Sequence, residues 1–520
     1  MNKIIKNISG MLLGGSLVLG LSACTGKFED FNTDPNAPTP EQMQGDNAAS
    51  ATLIANQIPM ALVQGQENNA QMLDMMIGNE YGGMISNKNA WGTDAYYATY
   101  NPNSGWTGNT FDTMMPNIMN PYFQIKRITE GKGIVYHWST LLRVIGMLKI
   151  SDTYGPIPYS KVTGSEFAVA YDDMPTLYSA MIADLETALE GLKEAASSPS
   201  DVNLFENTDY IFQGDFRKWV KLGNTIKLRI ALRLANVDPN KAKALAEEAV
   251  ADSYGLLSEP TETAWSTFIT QRNPFNLIGE SWGEIRVSAN ITAYMNGYSD
   301  PRLPVYAKPA SDGSYTGARN GVFHFENEFA NASQVNLGAQ DKLLAIAASE
   351  SWFCRAEGAL RGWAMGGTAK ELYEQGVKVS MQERGVDVGN YLESEATMAD
   401  HVSVINSSYN VTAVSSVTPK YDESASFDQN LERILVQKWL GNFPNGWETW
   451  VDFRRTNYPK FFPVYNNLST DGVTTRGGMR RLPYPLSEFN TNEKNVKAAQ
   501  AMLNGPDNSA TNLWWATPNF

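Results

Sequence analysis

In "LYSAMIADLETALEGL" (177–192), Tyr178, Met181, Ile182, Leu185, Leu189 and Leu192 recur at three- and four-residue intervals, with Asp184, Glu186 and Glu190 facing away. That period puts one apolar stripe along one face of an α-helix. A lone stripe is marginal in water, so the helix must find a packing partner. The same pattern returns in Trp138, Leu141, Ile145 and Leu148, and in Trp219, Leu222, Ile226, Ile230 and Leu234. Ala242, Leu245, Ala246, Ala249 and Val250 form another stripe. Leu344, Ala348, Trp352, Ala356 and Trp363 continue the series, followed by Tyr373, Val377 and Met381. The spacing predicts helix–turn–helix pairs of the tetratricopeptide kind, about 34 residues each, without a strict period because long insertions separate them. Thr39-Pro40-Glu41 predicts a helix start, with the helix running to about Gln64 and bent at Pro59. The expected fold class is mainly α: an irregular α/α solenoid with long aromatic-rich loops and few short strands. "GVFHF" (321–325) and "RLPVYA" (302–307) are the best strand candidates.

The first residues bear on the compartment. Lys3 and Lys6 precede the short apolar run "ISGMLLGGSLVLGL", and "LSAC" ends at Cys24. The run is too short to span a bilayer and reads as a cleaved signal peptide. Small residues directly before a cysteine mark a lipoprotein signal, so residues 1–23 are expected to be removed and Cys24 lipidated. Two acyl chains on one residue anchor stably where one is marginal. Residues 24–38, with Pro35 and Pro38 and little apolar content, read as a tether, leaving 39–520 as a single domain. The other cysteine, Cys354, sits in a helical pattern where a small thiol suits a core. A disulfide framework is thereby excluded within one chain.

Charge and motifs narrow the function. Without Lys3 and Lys6 the basic count falls from 41 to 39 against 55 acids, a net charge of −16. Phosphate-rich nucleic acid is therefore excluded as a natural partner, and neutral or cationic ligands suit such a surface better than anionic ones. The sequence contains no HExxH, no GxxxxGK[ST] and, after the leader, no GxSxG. His137, His324 and His401 are scattered, which offers no zinc pattern; no metal site or cofactor is read from the sequence, and an oxygen-lined structural cation assembled from distant loops stays open. A glycosidase needs only two suitably spaced carboxylates, so a lipoprotein glycoside hydrolase stays as an alternative.

Eight motifs occur in order: "LKISDTYGPIPYS" (148–160), "WVKLGNTIKLRIALRLANV" (219–237), "RNPFN" (272–276), "DPRLPVYAKP" (300–309), "ASESWFCRAEGALRGW" (348–363), "ELYEQGVKVSMQERGV" (371–386), "ILVQKWLGNFPNGWETWVDFRRTNYP" (434–459) and "RRLPYPLSEFNTN" (480–492). Together with the cysteine-ended leader they resemble the SusD/RagB family of nutrient-binding outer-membrane lipoproteins. The resemblance implies a helical fold with tetratricopeptide-like pairs, no catalysis, and a lid on a SusC-type TonB-dependent transporter. It implies capture of glycans or, in some branches, peptides at the cell surface. It also implies that ligand is held by non-repeat loops, here residues 30–135 and 260–340.

One such loop, "NKNAWGTDAYYATYNPNSGW" (87–106), crowds five large rings among polar residues without any helical or strand period. An aromatic ring can cover the C–H face of a sugar while amide and carboxylate groups meet its hydroxyl edge. Trp91, Tyr96, Tyr97 and Tyr100 are therefore candidates for stacking, and Asn89 and Asp94, with Asn87, for hydroxyl contacts. Trp106 is expected to anchor the loop. Trp282 and Tyr294, flanking another non-repeat stretch, are further candidates. Trp447 and Trp450 are expected in a helix core, Arg454 and Arg455 in ion pairs, and Trp514 and Trp515 docking the C-terminus.

Overall fold

The computed structural model describes residues 47–88, 97–102, 105–197, 205–206, 208–322 and 329–517. The chain divides into two units, Met1–Ser50 and Ala51–Phe520; the fold described here is that of the second. The leader, Cys24 and the tether lie outside the described residues. Among the described residues, no helix is long and apolar enough to cross a membrane.

The unit is entered through α1 (Asn47–Ala61), which contains Pro59 and ends near the expected bend. A π-helical stretch, Ala70–Asn79, leads to strand β1 (Ile85–Asn87). Helices α2 (Met115–Ile128), α3 (Gly133–Tyr154), α4 (Met174–Ser197), α5 (Phe216–Leu234) and α6 (Pro239–Ala251) follow, each packed on the next. Then come β2 (Ala264–Ser266), β3 (Ile285–Val287), α7 (Ala289–Tyr298) and β4 (Leu343–Ile346). The second helical run is α8 (Ala348–Leu360), α9 (Ala369–Glu383), α10 (Phe427–Gly441) and α11 (Trp447–Thr456). The two-stranded ladders are both antiparallel: β1 with β3, placing Ile85 opposite Val287, and β2 with β4.

Local signals explain the helix starts. Asp215 accepts from the backbone N–H groups of Arg217 and Lys218 before α5, and Asp238 accepts from that of Lys241 before α6. Thr368 with Glu371, and Ser426 with Gln429, form reciprocal capping boxes at α9 and α10. Where helices cross closely, the sequence supplies glycine: a Cβ on Gly223 would lie 2.6 Å from Leu189, and one on Gly376 2.8 Å from Phe353. The stripes predicted from sequence are buried almost throughout, with Trp138 and Trp219 edge-on at 5.3 Å between centroids.

Several expectations need correction. Residues 303–306 form a short helix, Leu303–Tyr306, not a strand. Asp300 accepts from the Arg302 N–H just before it, and Pro304 suits a first turn, which overrides the strand preference of Val305. Leu344 belongs to β4, and Trp363 lies beyond the end of α8, where Gly362 turns the chain with φ +80°. Of the pair 454–455, only Arg455 meets carboxylates among the described residues. Arg454 donates to the carbonyls of Trp450, Asp152 and Arg480 and lies 3.6 Å from the Trp450 ring centroid. Trp515 is buried and Trp514 packs edge-on against Tyr178, as expected of a docked C-terminus. Cys354 is buried and free, and burial pushes its thiol up to about 12, so it is an inert core residue.

The basic residues of α5 run into a buried ion network. Arg229 meets Glu350, while Arg233 bridges Asp152 of α3 and Glu448 of α11, both at 2.8 Å. Lys438 meets Asp452 at 2.9 Å, and Arg455 meets Asp452 at 2.7 Å and Glu357 at 2.5 Å. The network ties α3, α5, α8, α10 and α11 into one register, because a buried charge without its partner is costly. Burial alone would raise the Glu357 carboxyl, but the Arg455 and Arg361 guanidiniums outweigh it and hold it down at about 2. A carboxylate depressed in this way contributes stability above its unfolded pKa of 4.5 and loses it as pH falls toward 2. Denaturant unfolding is expected to show roughly 3 kcal/mol disappearing over that acid interval through this group, and Glu357→Gln to remove that part of the slope.

Candidate functional site

The site is assembled where the π-helical stretch, the β1–β3 ladder and the segment after α11 meet. Glu80 closes the turn into β1. Its carboxylate accepts from the Asn87 backbone N–H at 2.9 Å and from the Asn87 side chain at 2.7 Å. Asn320 donates to its other oxygen at 2.8 Å and to the Ile85 carbonyl at the same distance. No ion pair to Glu80 exists among the described residues. Burial accordingly pushes its carboxyl up to about 7 against these three hydrogen bonds. Asn87 is therefore a buried structural partner of Glu80 and not a surface group for a ligand.

Aromatic rings stand over this polar floor. Tyr81 lies 5.3 Å from Trp450 and 6.3 Å from Tyr100 between ring centroids, and Phe453 lies 5.4 Å from Phe461. With Asn290, they enclose a small cavity of about 40 Å³ reaching Glu80. Phe453, Phe461 and Arg476 also line a second, larger cavity of about 580 Å³, together with Tyr458, Lys460, Pro463 and Thr412 to Val414. The two cavities share Phe453, Phe461 and Arg476 in their walls; together they are called the groove, the one that reaches Glu80 being its deep end. Its volume lies in the range of ligand pockets, and its lining combines apolar walls with few polar groups.

The groove walls are held from beneath. Asn290 of α7 accepts from the Phe462 N–H at 2.7 Å, and the Tyr294 hydroxyl donates to the Lys460 carbonyl at 2.9 Å. Asn457 ends α11 in the left-handed conformation, turning the chain into the 458–464 wall. On the far side, the turn at 474–478 closes with the Gly478 N–H donating to the Thr474 carbonyl. Gly478 needs its φ of +62°, and its Cα side faces the Phe453 ring and the Tyr100 hydroxyl. Beside Pro463, the Arg319 guanidinium donates to the Pro463 and Tyr409 carbonyls and lies 5.2 Å from the Tyr465 ring. Tyr409 and Tyr465 pack edge-on at 5.0 Å, and Tyr465 is partly exposed.

The residues singled out from sequence are distributed unevenly. Asn89, Trp91, Asp94 and Tyr96 lie outside the described residues. Tyr100 lines the deep end of the groove. Tyr97 is buried against Tyr81, so its ring anchors the loop and leaves no face for a ligand. Tyr294 is likewise fully buried, edge-on to Trp439 at 5.4 Å; it supports Lys460 and does not line the groove. Trp282 is 37% exposed but lies outside both cavities of the groove. Trp106 packs on the core, as an anchor should. Sequence reasoning missed Phe453, Tyr458, Lys460, Phe461 and Arg476. Their available signals were the "TNYP" turn after a helix and the glycine-flanked "TTRGG".

This fold and groove define a helical binding protein, and the comparisons give its family. Residues 30–516 match the SusD-like family model, described as SusD and RagB outer membrane lipoprotein, and the chain belongs to that family. Its fold is similar to that of a SusD-like protein from Bacteroides thetaiotaomicron, at TM-score 0.86 and 34% identity, covering 90% of this chain and 99% of that one. A chitin-binding SusD homologue from Flavobacterium johnsoniae is equally similar in fold, at TM-score 0.86, 33% identity and the same coverage. A homologue from Bacteroides uniformis matches at TM-score 0.84 and 33% identity, over 91% of this chain and all of that one. A search of curated protein sequences finds no match.

Proposed function

We propose that this protein captures oligosaccharides at the cell surface, in the groove between Phe453, Phe461 and the 474–478 turn, without turning them over. It then delivers them to a SusC-type TonB-dependent transporter, with lipidated Cys24 as its only tie to the membrane. The observation that carries the reading is the groove itself, whose large ring-bearing cavity and deep polar end suit a sugar's C–H face and hydroxyl edge. Family membership supports it, as does the chitin-binding description of a homologue at 33% identity. Trp91, with Asn89, Asp94 and Tyr96, belongs to the proposal as loop groups that complete the site, and Trp91→Ala tests that part.

Calorimetric titration with a panel of polysaccharide fragments and a protein digest tests the function. Binding to at least one glycan at micromolar concentration, with no product released, is expected. Heat from the digest alone would replace the glycan reading with the peptide one, and steady release of shortened sugars would replace it with a glycoside hydrolase.

A further inference from the structure

The charge of the groove runs against the charge of the chain. The protein carries 55 acidic against 41 basic residues. Yet the large cavity is lined, among the described residues, by Lys460 and Arg476 and by no aspartate or glutamate. Arg476 stands at the apex of the pinned 474–478 turn, is exposed, and has no ion pair or side-chain hydrogen bond among the described residues. It lines both cavities. Lys460 reaches Glu432 at 2.7 Å, but that carboxylate is buried behind the wall and is not part of the lining. Arg319, beside Pro463, donates from its two terminal nitrogens to two backbone carbonyls and meets no carboxylate among the described residues.

The one acid at the deep end, Glu80, is buried under three donated hydrogen bonds. Tyr81 and Tyr100 are the titratable groups that face it, and neither is anionic near neutral pH. A guanidinium with open donors above apolar walls matches a planar carboxylate or a sulfate ester, which it can bind through two parallel hydrogen bonds. In a chain that repels anions overall, a large cavity without acidic lining among the described residues also discriminates locally between charged and uncharged ligands.

We infer that the groove selects glycans bearing negative charge, as uronate carboxylates or sulfate esters, with Arg476 as the residue that sets this specificity. The inference rests on the glycan-binding reading above and narrows its ligand class.

Titrating the purified protein with matched pairs separates the possibilities: sulfated against plain dextran fragments, and oligogalacturonate against its methyl ester. At least one charged member is expected to bind tenfold or more tightly than its neutral partner, with affinity falling between 50 and 200 mM salt. Which pair responds tells sulfate from carboxylate. Arg476→Ala should cost about tenfold more for the charged member than for its neutral partner, while Arg476→Lys should restore part of that difference. The exposed position makes the variants' folding a minor concern, checked by an unchanged melting temperature. Neutral members binding as well as charged ones, or charged binding indifferent to Arg476→Ala, would overturn the specificity while leaving glycan capture standing. Silence from every glycan would overturn both.

Discussion

Replacing Arg233 by Met is expected to destabilise the fold by about 3–5 kcal/mol, the usual cost of stranding a buried carboxylate. Two are stranded here. Asp152 and Glu448 each lie 2.8 Å from the Arg233 guanidinium, and both are buried. Arg229 and Lys438 remain near Glu448, at 3.8 and 3.7 Å, too far to replace two direct hydrogen bonds. The denaturant midpoint should therefore fall with an unchanged slope. Adding Glu448→Leu should recover part of the loss, because it removes one orphaned charge. A change below about 1 kcal/mol for the single variant would show that the network is dispensable.

Trp450→Ala is expected to cost about as much, 3–5 kcal/mol, and to change binding as well. The indole is fully buried, donates to the Met479 carbonyl at 2.8 Å, and packs between Tyr81 and the Arg454 guanidinium. Removing it opens space directly beneath the deep end of the groove and frees the strand that carries Met479 toward the 474–478 turn. A fall in glycan affinity at temperatures where the variant is still folded is therefore expected. Loss of stability without loss of affinity would separate this core from the site.

The helices were legible because their apolar period is local. Tyr178, Leu185 and Leu192 announce one face of α4 wherever that helix packs. The ion network was not legible, because Arg229 and Arg233 have the same spacing on a buried face as on a wet one. Only the approach of α3, α8 and α11 tells the two apart. The short Leu303–Tyr306 helix was hidden by the β-branched Val305, while Asp300, which accepts from the Arg302 N–H ahead of the helix, lies outside the apparent strand.

The site was harder still. Ring density pointed to 87–106, but Tyr97 fills the core beside Tyr81. The groove takes Tyr100 from that loop, Phe453 and Phe461 from either side of the turn after α11, and Arg476 from a later turn. No linear pattern unites them. Net charge does not describe the groove either: −14 belongs to the whole chain, whereas the groove's large cavity has no acidic lining among the described residues.

A crystal structure of the protein soaked with the glycan that gives the strongest heat tests the central claim most directly. Sugar density against Phe453 and Phe461, with an oxygen of the ligand within hydrogen-bond distance of Arg476, is the predicted result. Density seated elsewhere, with the groove empty, would contradict it.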